Sequence, residues 1–156
     1  MPTRHSRDTR VKRFTQRYIA YTVDGQHQRL PLLHIRLIGN TDSFTTMALV
    51  DSGATVNFVP PELAEAVGLQ KVRENELAEG AGGTFMNDIY KFEVQLLRKS
   101  DVMYSLVGEA HVPKDEGRIP FVILGREGIF DVYDITFRER KQCISLKPAS
   151  GSSDQC

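Results

Sequence analysis

Apolar and polar residues alternate with a period of two along most of the chain, which predicts a largely β domain. Tyr18 to Val23 alternates in this way and reads as a strand ending in an Asp24-Gly25 turn. Leu30 to Ile38 reads as a second strand and Phe44 to Val50 as a third, with the turn-forming run Gly39-Asn40-Thr41-Asp42-Ser43 between them. These two strands should form a hairpin that delivers the chain to Asp51. Residues 60–67 break the alternation. Pro60-Pro61-Glu62 followed by Leu63-Ala64-Glu65-Ala66-Val67 predicts a short helix with proline in its first turn and Gly68 as its stop. Strand patterns return at 70–78, 84–97 and 102–112, the first two separated by the glycine-rich tip Gly80-Ala81-Gly82-Gly83. Lys114-Asp115-Glu116-Gly117 is a polar loop. Phe121-Val122-Ile123-Leu124 is wholly apolar, as a strand covered on both faces would be. A helical turn over 126–132 then leads to strands near 133–138 and 142–147.

Composition supports one packed domain. The chain has 156 residues, of which 40% are hydrophobic and 26% charged, and a chain of that size and polarity buries a core without needing disulfides. The net charge is zero but unevenly placed. Residues 1–17 carry six bases against the single acid Asp8, leaving 14 bases and 19 acids in the remainder. The predicted organisation is a basic, disordered arm over 1–17, a domain over 18–148 and a disordered tail over 149–156. The mildly acidic body gives no reason to expect nucleic acid as a partner. No apolar run is long enough to cross a bilayer, and the N-terminus lacks the apolar stretch of a secretion signal. Cys143 and Cys156 form no disulfide framework, so a reducing cytoplasm is the expected location. His5, His27, His34 and His111 are widely spaced, and nothing in the spacing argues for a metal or another cofactor.

The chemistry concentrates at Met47-Ala48-Leu49-Val50-Asp51-Ser52-Gly53-Ala54, an apolar strand that ends in an acid, a hydroxyl and a glycine. The strand would fix Asp51 at the floor of a cleft. The Ser52 hydroxyl is expected to hydrogen-bond nearby backbone and lock the turn. Gly53 is expected to turn the chain with φ > 0 and to leave room beside the carboxylate. A carboxylate so placed suits the activation of water for amide hydrolysis, provided that a second carboxyl faces it. One group takes a proton while the other supplies one. Two carboxyls at close range cannot both ionise, so they share a proton.

About seventy residues downstream lies Phe121-Val122-Ile123-Leu124-Gly125-Arg126-Glu127. With this pair of segments the sequence resembles the retropepsin-like aspartic proteases, a family that includes retroviral, retrotransposon, cellular and bacterial members. The resemblance spans about residues 30–147. It implies a mostly β, single-domain acid-protease fold with a closed, barrel-like sheet and one or two short helices, active as a homodimer. It also implies that Asp51 is catalytic within the turn Ser52, Gly53 and Ala54. Ile123, Leu124, Gly125 and Arg126 would interlock beneath it, and Gly80, Ala81, Gly82 and Gly83 would tip a flap that closes over an extended peptide substrate. One departure stands out. Many retroviral members carry an acid after the Asp-[Thr/Ser]-Gly-Ala tetrad that pairs with the arginine of the second segment; here the position is Thr55, so Arg126 should pair with Glu127 or Asp131 or face solvent. Extra residues at both termini mean that the retroviral terminal-strand interface cannot be assumed.

Competing assignments are weaker. Ser52 has no Gly-x-Ser-x-Gly context and no histidine placed to activate it, so a structural hydroxyl is favoured over a nucleophile. Asp131 and Asp134 lack a following Ser/Thr-Gly turn, and surface or capping roles suit them better than a second catalytic carboxyl. Phe85 and Met86, past the flap tip, read as packing residues, with the lining of a substrate pocket as the alternative for one of them. Two other functions fit the same chain: a peptide-binding module that uses the cleft without cleavage, and a dimerisation domain of a larger assembly. The intact Asp51-Ser52-Gly53 favours the peptidase.

Overall fold

The computed structural model describes residues 12–80, 83–115, 117 and 119–149. The elements, in chain order, are β1 (Phe14–Arg17), β2 (Ile19–Val23), β3 (Gln26–Leu30), β4 (Leu32–Ile38), β5 (Ser43–Val50), β6 (Asn57–Phe58), α1 (Pro61–Val67), β7 (Lys71–Gly80), β8 (Gly83–Arg98), β9 (Asp101–Pro113), β10 (Val122–Leu124), α2 (Ile129–Val132), β11 (Tyr133–Arg138) and β12 (Cys143–Pro148). A single 3-10 turn, Glu139–Lys141, joins the last two strands.

Seven strands form the main sheet in the order β4-β5-β10-β6-β9-β8-β7, and β4 also pairs with the C-terminal half of β8. The ladder therefore returns towards its own beginning, with the core inside the curve. Leu33, Ile35, Leu37, Val50, Phe92, Val94, Leu96, Val122 and Leu124 fill it, all nearly or fully excluded from solvent. β10 lies between parallel β5 and antiparallel β6, which accounts for its uninterrupted apolar sequence. α1 begins at Pro61 and stops at Gly68, whose φ of 70° is the left-handed cap that glycine adopts without a steric penalty. Asp24 and Gly25, with φ of 49° and 76°, make the two-residue turn between β2 and β3.

Three boundaries differ from the sequence reading. The arm assigned to 1–17 is already a strand from Phe14: β1 pairs antiparallel with β12, and Phe14 is buried edge-on against Tyr133, ring centroids 6.2 Å apart. The Tyr133 hydroxyl donates to the Lys12 carbonyl at 2.9 Å. Residues 1–11 and 150–156 of the predicted arm and tail lie outside the described residues. The strand read over 30–38 is two strands, because Pro31, which has no amide hydrogen, separates β3 from β4. Asn57 and Phe58 form an unforeseen short strand between β9 and β10.

β1, β12 and β11 make a second sheet in that order. β12 is thus paired on both sides by its own chain.

Candidate active site

Asp51 follows β5 directly. Val50, 2% exposed, anchors the end of that strand in the core, and the Asp51 amide donates to the Leu124 carbonyl of β10 at 3.0 Å. The carboxylate is half-buried. Its Oδ1 accepts the Gly53 amide at 2.8 Å, and the Ala54 amide donates to the Asp51 carbonyl at 3.3 Å. The turn is therefore held by the acid's own side chain and backbone. The Ser52 hydroxyl, expected to lock the turn, is exposed and makes no hydrogen bond among the described residues. Gly53 does not adopt the expected positive φ. A Cβ at Gly53 would lie 3.2 Å from Asp51 Oδ1, so the glycine serves to leave space beside the carboxylate.

Beneath this turn the two predicted segments interlock. The Arg126 amide donates to the Ala54 carbonyl at 2.9 Å and the Glu127 amide to the Thr55 carbonyl at 3.1 Å. At Gly125 a Cβ would sit 2.2 Å from the Val56 carbonyl oxygen and 2.8 Å from that of Ala54. Only glycine permits this backbone crossing. The Arg126 side chain is exposed and forms no ion pair with Glu127 or Asp131; its contribution is through the main chain. Asp131 instead caps α2, its Oδ2 accepting the Gly128 amide at 2.9 Å. Ile123 pairs with Leu49 on one side and Phe58 on the other.

Asn57 is a site residue that the sequence reading did not single out. It is 2% exposed. Its Oδ1 accepts the buried Gly125 amide at 3.1 Å, and its Nδ2 donates to the Glu127 carbonyl at 3.0 Å and to the Glu109 carbonyl at 3.5 Å. One side chain thus ties the segment after Asp51 to the Gly125 segment and to β9. A lone amide within the apolar run Val56-Asn57-Phe58-Val59 was the available signal.

The glycine-rich tip joins β7 to β8 as a hairpin. Gly80 faces Gly83 across it, and Gly83 has φ of 98° with open space around its missing Cβ. Ala81 and Gly82 lie outside the described residues. The β7–β8 register shifts between Lys71 and Glu76, where Asn75 takes a φ of 59° and its amide donates to Asp88 Oδ1 at 3.1 Å. Burial pushes the Asp88 carboxyl up, but the Asn75 amide, Lys71 and Lys114 together hold it below the usual range. Arg73 grips Glu109 through two hydrogen bonds of 3.0 and 2.7 Å and fastens the hairpin base to β9. Phe85, two residues past the tip, lies 6.0 Å from the Phe58 ring, which lies 5.7 Å from His111. Burial lowers the His111 pKa, against the opposing pull of Glu76 and Glu127. Leu77 and Met86 face each other across the hairpin and are exposed.

An acid at the end of an apolar strand, a second apolar-Gly segment that buttresses it and, in the same chain, a glycine-tipped hairpin are the set of elements found in acid proteases. A sequence model of the family described as "Aspartyl protease" matches residues 38–127, more than half of the chain, and the chain belongs to that family. Its fold is retropepsin-like. The structure of a retropepsin-like aspartic protease from Rickettsia conorii aligns over 86% of this chain and 91% of its own, with a TM-score of 0.50 at 17% identity. Two further structures are similar at lower scores. EIAV protease complexed with the inhibitor HBY-793 covers 70% of this chain and 89% of its own at 15% identity and a TM-score of 0.49. Simian foamy virus (mac) protease covers 63% and 90% at 19% identity and a TM-score of 0.41. Comparison with curated proteins finds no match. Among the described residues, no group of three or more His, Cys, Asp or Glu side chains is placed to hold a metal ion, and no helix is long and apolar enough to cross a membrane.

Proposed function

We propose that this protein is an aspartic endopeptidase whose active site forms where Asp51 of two copies meet. The observation that carries the reading is the placement of Asp51. It is the one aspartate in the sequence followed by Ser-Gly, and its amide is tied to Leu124 of the segment that ends in Gly125. In this mechanism one Asp51 carboxyl is ionised and the other protonated. The ionised group takes a proton from a water molecule lying between them as its oxygen attacks the peptide carbonyl. The protonated group gives its proton to the developing oxyanion. Collapse of the tetrahedral intermediate, with proton transfer to the leaving nitrogen, releases amine and acid. The ring of ladders from β4 round to β8 is the barrel-like sheet, and the β7–β8 hairpin with Gly80, Ala81, Gly82 and Gly83 is the flap. An extended peptide lies between flap and floor, held by main-chain hydrogen bonds.

A fluorogenic peptide library digested across pH 3–8 tests this. Wild type should cleave and Asp51→Asn should not, with the fold retained because the asparagine Oδ1 still accepts the Gly53 amide. If the two chains exchange in equal amounts, about one quarter of dimers keep both acids, and activity per wild-type chain should halve. Cleavage by purified Asp51→Asn, or full activity from a monomer, would refute the shared site.

A further inference from the structure

Asn87 is a buried amide with nothing to bond. It is fully excluded from solvent, and among the described residues neither its Oδ1 nor its Nδ2 has a hydrogen-bond partner. The other buried polar side chains of this region are served. Asn57 holds three backbone groups. Asp88, next in the chain, takes the Asn75 amide at 3.1 Å and lies 3.3 Å from the Lys71 ammonium and 3.5 Å from that of Lys114. A buried polar group left unpaired is costly and calls for a reason. Strand geometry tells which way the Asn87 amide points, because residues directly opposite in a ladder share a face and successive residues alternate. Leu49, Ile123, Phe58, His111 and Ile89 pair in that order across five strands. They form one row on one face, and none belongs to the main core cluster, whereas their chain neighbours Ala48, Val50, Val122, Leu124 and Ala110 do. The row therefore lies on the face away from the core. Asp51, whose amide still bonds Leu124, continues the alternation on that side. Asn87 is two residues from Ile89 on the same face and diagonal to His111, whose Nδ1 is likewise buried without a partner.

We propose that Asn87 and His111 form the polar inner end of a substrate side-chain pocket on the Asp51 face, and that this pocket takes a primary carboxamide, the side chain of glutamine or asparagine. The inference deepens the peptidase reading and rests on it for the substrate and for the closing hairpin. Asn87 offers an acceptor at Oδ1 and donors at Nδ2. A second carboxamide matches it, with N–H and C=O side by side and each bonding its counterpart, and His111 Nδ1 adds a polar contact from the diagonal position. A methionine or leucine side chain of like size fills the space but leaves both Asn87 atoms unpaired. A carboxylate brings only acceptors, so Asn87 Oδ1 meets an oxygen. Glu76, directly opposite Asn87 on β7, adds further negative charge, and the nearby cation Arg73 is already engaged by Glu76 at 2.8 Å and by Glu109 at 2.7 Å. The wall of the pocket is aromatic. Phe85, two residues from Asn87 on the same face, sets its ring 6.0 Å from that of Phe58, and Phe58 lies 5.7 Å from His111. Lifting the β7–β8 hairpin parts Phe85 from Phe58 and opens a way from the Asp51 side to Asn87; its return buries the bonded carboxamides.

A peptide library of random sequence, digested and read by mass spectrometry, tests the pocket. Wild type should select glutamine or asparagine at a fixed position beside the scissile bond, with kcat/KM at least about a hundredfold above that of the same peptide carrying methionine there. Asn87→Leu should bring the two peptides within about threefold of each other. The resting protein supplies a second readout. Asn87 has no partner to lose, so Asn87→Leu should melt no lower than wild type when no peptide is present. A drop of more than about 5 °C would mean that the amide is satisfied within the resting protein, and overturns the pocket. Affinity selection of the same library on Asp51→Asn protein separates this inference from the peptidase reading. Carboxamides selected there, and not by the double variant with Asn87→Leu, uphold the pocket even where wild type cleaves nothing, and the peptidase reading alone then falls. Cleavage without a carboxamide preference, or a preference unchanged in Asn87→Leu, overturns the pocket and leaves the peptidase standing. A protein that neither cleaves nor selects loses both.

Discussion

Replacing Asn57 with leucine, close to it in size, isolates the polar clamp beneath the active site from any cavity effect. Three contacts are lost: Gly125 amide to Oδ1 at 3.1 Å, Nδ2 to the Glu127 carbonyl at 3.0 Å, and the longer one to the Glu109 carbonyl at 3.5 Å. Two well-formed hydrogen bonds are worth about 1 kcal/mol each in net terms, and a buried amide left without an acceptor adds roughly 1–3 kcal/mol. The gain from burying a more apolar side chain offsets part of this, so the expected loss is about 3 kcal/mol. For a domain of this size that lowers the melting temperature by on the order of 10 °C. Urea unfolding followed by circular dichroism measures it, with both proteins at one concentration because association also contributes to apparent stability. Asn57→Asp is the informative comparison. It keeps an acceptor for the Gly125 amide, loses both donors and sets a charge against the Glu127 carbonyl, so its cost should depend on pH. A loss below 1 kcal/mol for Asn57→Leu with an unchanged denaturant slope would show that the clamp does not hold the two segments together.

Three further outcomes follow from other parts of the fold. Gly83→Val forces a β-branched side chain onto a φ of 98°, a local strain of about 1–3 kcal/mol at the hairpin tip; peptide kcat/KM should fall at least about tenfold, with a smaller stability loss than Asn57→Leu, and wild-type kinetics would mean that the tip does not close over substrate. Deleting residues 1–16 removes buried Phe14 and most of β1, so the domain should melt well below wild type, and an unchanged melting temperature would show that β1 is dispensable. Burial holds the His111 imidazole below its ordinary value of 6.5, so the unfolded chain takes up that proton first as pH falls through 6.5. Folding stability should decline there, and His111→Phe should flatten the decline in unfolding midpoints measured between pH 5 and 8; an equally steep decline in the variant would remove His111 as its source.

Local signals made the parts of this fold with strong punctuation legible. Asp24-Gly25 marks a hairpin because both residues tolerate positive φ. Pro61 and Gly68 bracket α1, and the alternation of residues 44–50 leads without ambiguity to Asp51. The interlocked segments were legible only through the family resemblance; the close backbone crossing that demands glycine at 125 emerged in the structure. What escaped depends on distant partners. In β1 only Phe14 turns a buried apolar side chain inward, so three polar neighbours disguise a strand whose mate lies at the other end of the chain. Asn57 shows locally only as a lone amide in an apolar run, and its partners at 109, 125 and 127 come together only in the folded protein. At Ser52 and Gly53 the local mechanics differ from the expectation. The carboxylate itself takes the amide that the hydroxyl was expected to secure, and the glycine needs space more than an unusual φ.

Pairing β1 with β12 has a consequence for the order in which the molecule assembles. Thr15 Oγ1 lies 3.0 Å from Ser145 Oγ across 130 positions of sequence. Closing so long a loop in an unstructured chain costs on the order of 4 kcal/mol in entropy, which a ladder of four residue pairs recovers poorly unless the intervening chain has already compacted. The hairpins β4–β5, β7–β8 and β8–β9 close short loops and are the natural early structures. The contact between the first and last strands then acts as a latch that shuts late, once residues up to Pro148 are available, so a chain still being synthesised can hold the Asp51 floor and the hairpin before its ends are joined.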